Sequence, residues 1–205
     1  MPRVNWHAFV DESKRRGQYS MAAVIVRGDD VSTLRREVRA LLLPGQSRIH
    51  MTKESGGRQL QLARAVARMD IFAIVVRSAA LMESERTARD DCLADLMDRL
   101  LALEVNRVRL ESCDQDAQDR SVIARSISKS SVQFNYDHLR AGQEPLLWLP
   151  DVVAWAQGKG GRWGDAIAGI VNSTQNLSVK RETWPTHRPE SCQVHFRPLL
   201  RATSQ

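Results

Sequence analysis

Residues Trp6-His-Ala-Phe-Val-Asp-Glu-Ser13 decide how the rest of the chain is read, because an apolar run there ends abruptly in two adjacent carboxylates. Such a run predicts an edge-to-centre strand whose last residues, Asp11 and Glu12, emerge where a sheet opens to solvent. Successive strand residues point to opposite faces, so only one of the pair can line a given site. Asp11 is the expected inner member, and Glu12 is expected to turn away into a supporting role.

Working outward, Tyr19 to Val26 (YSMAAVIV) is apolar and β-branched, and it follows the first strand after the turn-like Lys14-Arg-Arg-Gly17. A hairpin is the economical reading. Val31, Leu34, Val38 and Leu41 then recur at helical spacing, and Pro44-Gly45 supplies a stop. Arg48 to Glu54 reads as a short extended piece, dense in site-capable side chains, that leads into a turn at Gly56-Gly57. A helix over Arg58 to Met69 hands over to Ile71-Phe-Ala-Ile-Val-Val76, a continuous apolar run suited to a strand covered on both faces. The longest helix is expected over Glu83 to Glu104, with an acid-rich, solvated first half. Arg107-Val-Arg-Leu-Glu111 alternates with period two and ends, like the first strand, in a carboxylate.

Asp114, Asp116 and Asp119 precede a helical stretch through Ile127. A polar break at Ser128 to Ser131 leads to a possible short strand over Val132 to Tyr136. Pro150 suits the first turn of a late apolar helix, which puts Asp151 at its start. Asp165 to Asn172 predicts a last helix. The alternation of helices and strands argues a mixed α/β sheet flanked by helices. Residues 1–172 are expected to form one domain. Residues 173–205, polar and proline-bearing, are expected to be an extension, loosely ordered or docked on the surface.

Composition narrows the partners. The 205 residues carry a net charge of +6, mostly as arginine, which suits bidentate contacts to phosphate; nucleic acid is therefore a plausible partner. The 3 cysteines are widely spaced and lack a Cys-x-x-Cys pattern, so neither a disulfide framework nor a zinc site is expected. No apolar run approaches the roughly 18 residues of a membrane span, and no secretion signal is seen, so a cytoplasmic location away from any membrane is expected. The glycine pairs have neither Walker nor Rossmann spacing, which argues against nucleotide-fuelled chemistry.

What remains is a set of acids at element ends: Asp11, Glu54, Glu111 and Asp151. Hard oxygen ligands from several elements are what Mg²⁺ or Mn²⁺ needs. Two such ions about 3.5 to 4 Å apart can activate a water and stabilise the leaving oxygen of a phosphodiester. His50 and Lys53 could add proton transfer or a phosphate contact. Simpler readings compete with these. Asp11-Glu12-Ser13 could be a turn, His50 and Glu54 a surface hydrogen bond, Asp151 a helix cap. Trp148, Trp155 and Trp163 suit core or lid better than base stacking, and Arg35-Arg36-Arg39 suits a wet helix face.

The ordered combination Val10-Asp-Glu-Ser13, His50-x-x-Lys-Glu54, Glu111 at a strand end and Leu149-Pro-Asp-Val-Val-Ala154 resembles an uncharacterised bacterial family of small ribonuclease H-like proteins. The resemblance covers roughly residues 5 to 157. It implies an early antiparallel hairpin followed by parallel strands, and a metal-dependent nuclease centre. By that resemblance Asp11 is the first-strand acid, Glu111 the acid of a later central strand and Asp151 the acid of the last helix. Lys14 stands where the family has glycine, Pro150 where alanine is common, and Glu111 where aspartate is usual, which leaves Asp114 as an alternative ligand to Glu111. The function expected is metal-dependent phosphodiester hydrolysis. The alternatives are a catalytically silent nucleic-acid-binding module, or a protein-interaction component of a toxin or defence system.

Overall fold

A computed structural model describes residues 5–15, 17–78, 84–128, 130 and 135–177. They form a six-stranded mixed sheet in the order β5-β4-β1-β2-β3-β6. The strands are β1 (Trp6–Arg15), β2 (Gln18–Arg27), β3 (Phe72–Ser78), β4 (Arg107–Glu111), β5 (Asn135–Leu139) and β6 (Val171–Leu177). Helices α1 (Val31–Arg39), α2 (Gly56–Val66), α3 (Glu85–Ala102), α4 (Asp116–Ile127), α5 (Trp148–Lys159) and α6 (Gly161–Ile167) flank it. The expected hairpin is present, since β1 and β2 pair antiparallel from Trp6↔Arg27 to Arg15↔Gln18. β3 adds antiparallel to β2, whereas β4 lies parallel to β1, β5 parallel to β4, and β6 parallel to β3.

Both faces are covered, which explains why β2 reads as a continuous apolar run. Phe9, Ala22, Val24 and Val75 pack under α1, α2, α5 and α6. Ala8, Met21, Ile25 and Val76 pack under α3 and α4. Burying both faces of the inner strands in this way is the arrangement usual for sheets with parallel crossovers.

The structure corrects the reading of the opening stretch in one respect. β1 is a central strand that continues through Arg15, so Asp11 and Glu12 are mid-strand and paired with Ala22 and Met21. The sheet still opens at Asp11, for a different reason. The parallel register with β4 runs only from His7↔Arg107 to Val10↔Leu110, so beyond Val10 the strand keeps one neighbour and exposes its other side.

Three other expectations are revised. Arg48 to Glu54 is a loop with a 3₁₀ turn at Met51–Lys53. Side chains, not a strand, use the backbone there: the Met51 N–H donates to Asp151 Oδ2 at 2.9 Å, and Gln59 Nε2 donates to the Met51 carbonyl at 2.8 Å. Gly56-Gly57 opens α2 instead of forming a turn, because Ser55 caps the helix by accepting the Arg58 N–H. Asp165 to Asn172 holds the end of α6 and the start of β6 instead of one helix. The polar residues after Asn172 join the sheet because β3 offers them an unpaired edge, and the sheet continues to Leu177. The later short strand is Asn135–Leu139, while residues 131–134 lie outside the described residues, as do 178–205 and Cys192.

Candidate active site

The divergence of β4 from β1 leaves a cavity of about 190 Å³ at the strand ends. Asp11 from β1, Glu111 from β4 and Asp151 from α5 line it, together with Arg48, His50 and Trp148. Period-two alternation aligns Phe9 and Asp11 with Arg109 and Glu111 on one face of the sheet, the face that α5 covers. α5 begins at Trp148 with no side-chain cap, so Asp151, in its first turn, is free to reach outward. It does not cap its helix. Instead it accepts the Met51 N–H and lies 3.4 Å from His50 Nδ1.

The three carboxyls are poorly compensated. Burial, then repulsion from Glu111 and Asp151, hold the Asp11 carboxyl well above the usual carboxylate range. Burial also raises Glu111, against a hydrogen bond from Asp11 and the charge of Arg48. Asp151 is raised by burial too, against the Met51 N–H and His50. Burial and mutual repulsion thus push both Asp11 and Glu111 towards the protonated form. Arg48 is the nearest cation, with Nη1 3.3 Å from Glu111 Oε1, and its side chain is 40% exposed. A group of buried carboxyls pushed towards the protonated form is the donor set that a hard divalent cation relieves. The residues present fit Mg²⁺ or Mn²⁺.

The other expected site residues lie outside this cavity. Lys53 is exposed. Glu54 accepts from Gln46 Nε2 at 2.5 Å, so its bond is local to the loop. Asp114 is exposed on the turn before α4.

Glu12 lines the same cavity but is bound from the opposite face. Its Oε2 accepts from Arg89 Nε at 2.7 Å and from the Tyr19 hydroxyl. Arg89, 2% exposed, also grips both carboxylate oxygens of fully buried Asp119 and donates to Cys113 Sγ at 3.2 Å. His138 Nε2 stands 3.2 Å from Asp119. Cys113, Asp116 and Asp119 bring ligand atoms within 4.8 Å of one another, spacing that a metal could use. Arg89 already neutralises Asp119, however, and Asp116 accepts from Ser112 Oγ and the Cys113 N–H. The cluster is a satisfied ionic network behind the cavity. The sequence reading missed it. Its one signal was periodicity: Arg89, Leu93, Leu96 and Leu100 fall on one side of α3. The acid-rich half of α3 is thus solvated only in part.

Arg48 and Trp148 were also missed as lining residues. Trp148 is anchored by its indole N–H, which donates to the Ala141 carbonyl at 2.8 Å.

No protein-family model matches the chain, and no curated protein matches its sequence. Solved structures do match. Ribonuclease HII from Archaeoglobus fulgidus, determined in complex with PCNA, aligns with a TM-score of 0.52 at 17% identity, covering 75% of this chain and 72% of that one. Ribonuclease H2 from Pyrococcus horikoshii aligns with a TM-score of 0.50 at 12% identity, covering 73% and 70%. The fold is therefore α/β and ribonuclease H-like, and at this identity the likeness extends to the fold alone. Among the described residues no helix is long and apolar enough to cross a membrane.

Proposed function

We propose that the chain is a metal-dependent nuclease, a hydrolase of phosphodiester bonds, with Asp11, Glu111 and Asp151 holding Mg²⁺ or Mn²⁺. The observation that carries this reading is the convergence of three under-compensated carboxyls, from β1, β4 and α5, on one cavity open to solvent. The ribonuclease H-like fold and the short motifs that resemble the small bacterial family point the same way. So does the excess of arginine, which favours nucleic acid as the partner; the cytoplasm is the expected location.

The metal, when bound, supplies an activated water and charge stabilisation at the phosphorus. The chain's own residues do the remaining work. Asp11 and Glu111 present carboxylates to the ion, and the Glu12 N–H orients Asp11 by donating to its Oδ1 at 2.7 Å. Hydrolysis makes one P–O bond to water and breaks one to the leaving oxygen, and that oxygen needs a proton. His50, held between Asp151 and Thr52 and 35% exposed, stands where it can deliver one. Arg48 is placed to bind a non-bridging phosphate oxygen in exchange for Glu111. Lys53 and Glu54 take outer positions on the adjoining turn, and Asp114 is left without a ligand role.

A second reading, a silent nucleic-acid-binding module, draws on the Arg48–Glu111 pair, because a guanidinium can balance the site without a metal. Cleavage assays separate the two. Parent protein with Mg²⁺ or Mn²⁺ should cut DNA, RNA or a hybrid, and Asp11→Asn should not. An uncut panel, or an Asp11→Asn variant as active as the parent, would reject the nuclease reading.

A further inference from the structure

A second charged feature lies beyond the acidic cavity. α5 ends at Lys159, and the positive φ of Gly160 (+68°) and Gly161 (+50°) turns the chain sharply into α6. The turn sets Trp163 edge-on to Trp155, with ring centroids 6.1 Å apart. Three cations gather on these rings. Arg15 lies 5.2 Å from the Trp155 centroid, Lys159 lies 5.6 Å from Trp155 and 4.9 Å from Trp163, and Arg162 lies 4.5 Å from Trp163.

These cations are set apart by gathering on two adjoining rings. Arg27, Arg35, Arg48, Arg89 and Arg99 each have a carboxylate partner. Among the described residues, Arg15, Lys159 and Arg162 have none. Cation–π contacts hold them together without neutralising them, so an anion from outside relieves their mutual repulsion.

The position of the cluster suggests which anion. Asp11 and Arg15 share β1 and, by period two, the same face. Asp151 and Lys159 share α5. The strand and the helix therefore both run from the acidic cavity to the cationic cluster. Four residues of strand span about 13 Å, and eight residues of helix span about 12 Å. Phosphates along one strand of a duplex recur about every 3.4 Å of axis, so the separation is roughly three to four nucleotides.

We propose that Arg15, Lys159 and Arg162, stacked on Trp155 and Trp163, hold the backbone phosphates of a nucleic-acid strand whose path leads to the acidic cavity. This rests on the proposed function only in taking the cavity as the point the strand reaches. The contacts are to phosphate and ring faces, so they fix register without selecting sequence. Trp155 is the buried floor of the cluster, while half-buried Trp163 gives it a rim.

The test measures binding in EDTA, so that cleavage plays no part. Fluorescence anisotropy of labelled single-stranded DNA, duplex and RNA–DNA hybrid is followed across a salt series. The Lys159→Gln/Arg162→Gln variant should lower the slope of log affinity against log salt by about two, one for each phosphate that is no longer neutralised. Lys159→Arg/Arg162→Lys should keep the parent slope. Arg36→Gln/Arg39→Gln, which removes the same charge from exposed positions on α1, should also leave the slope unchanged. A parent slope in the Lys159/Arg162 glutamine variant overturns the proposal, as does an equal reduction in the α1 control. So does polyglutamate competing as well as an oligonucleotide of equal charge, since that outcome indicates an acidic protein partner. A parent protein that cuts nothing with Mg²⁺ or Mn²⁺, while the slopes change as expected here, rejects the nuclease reading and leaves the binding surface standing.

Discussion

Replacing Arg89 by methionine tests the network behind the cavity. Arg89 is 2% exposed and Asp119 fully buried, and the guanidinium satisfies both Asp119 oxygens, Glu12 Oε2 and Cys113 Sγ. Methionine approximates the aliphatic stem, so weaker packing is a small part of the effect. The larger part is electrostatic, because Asp119 is left with His138 at 3.2 Å as its remaining cationic neighbour. Burial and the charge of Arg120 push the His138 pKa down against Asp116, so at neutral pH the ring gives little compensation. Removing one partner of a buried pair costs about 3 to 5 kcal/mol. For a chain of this size each kcal/mol moves Tm by roughly 2 to 4 °C, so a fall of roughly 6 to 20 °C is expected. Urea unfolding followed by circular dichroism gives the same quantity as a free energy. The double variant Arg89→Met/Asp119→Leu should recover most of the stability, because it leaves no orphaned charge. A single-variant deficit under about 1 kcal/mol, the size of an ordinary substitution, would refute the claim that these charges depend on one another.

In EDTA, Asp11→Asn should gain stability on the parent as pH rises. An acid held above its unfolded pKa keeps a proton that the unfolded chain has lost, so its contribution is present at low pH and disappears as pH rises through the folded pKa. Urea midpoints from acid to neutral pH check this, and a gain that grows toward low pH would contradict it. Burial pushes the Cys92 thiol up to about 12, so iodoacetamide should label half-exposed Cys113 in the native state and reach Cys92 only on unfolding, as read by peptide mass spectrometry. Equal labelling of the two thiols in native protein would mean that Cys92 is not sealed beneath β2 and α3.

Much of the fold was legible because its elements announce themselves by period. Arg107–Glu111 alternates cleanly and forms β4 with those bounds, and the apolar runs of β2 and β3 reflect burial on both faces. β6 was not legible. Its residues are polar, and its place depends on the unpaired edge of β3 rather than on any pattern of its own. Arg48 to Glu54 misled because its extended look conceals a loop tied down by Asp151 and Gln59, partners about 100 and 8 residues distant.

The candidate site divides along the same line. Glu111 and Asp151 could be picked out as acids at element ends, whereas Asp11, picked out on the same ground, proves to be mid-strand. Their convergence could not be read, because it arises from β4 parting from β1 after Val10. His50 shares the cavity, whereas Lys53 and Glu54 point elsewhere from the same short turn. His50 is extended (φ −148°, ψ 105°) just before the 3₁₀ turn that carries Lys53, so the two do not follow one helical phase. Arg89 was hidden for another reason, sitting among acids that suggested solvent when only helical phase could place it inward.

The proposed function depends most on the three carboxyls acting as one cation site. Titration of the metal-free protein with Mn²⁺, followed by electron paramagnetic resonance, measures that directly, because bound Mn²⁺ loses the sharp signal of the free ion. The parent should bind Mn²⁺, and Asp11→Asn, Glu111→Gln and Asp151→Asn should each abolish or severely weaken binding, while Glu54→Gln and Asp114→Asn bind as the parent does. Undiminished binding in Asp11→Asn, or binding abolished in Asp116→Asn instead, would contradict the shared cation site and move the metal to the cluster at Cys113, Asp116 and Asp119.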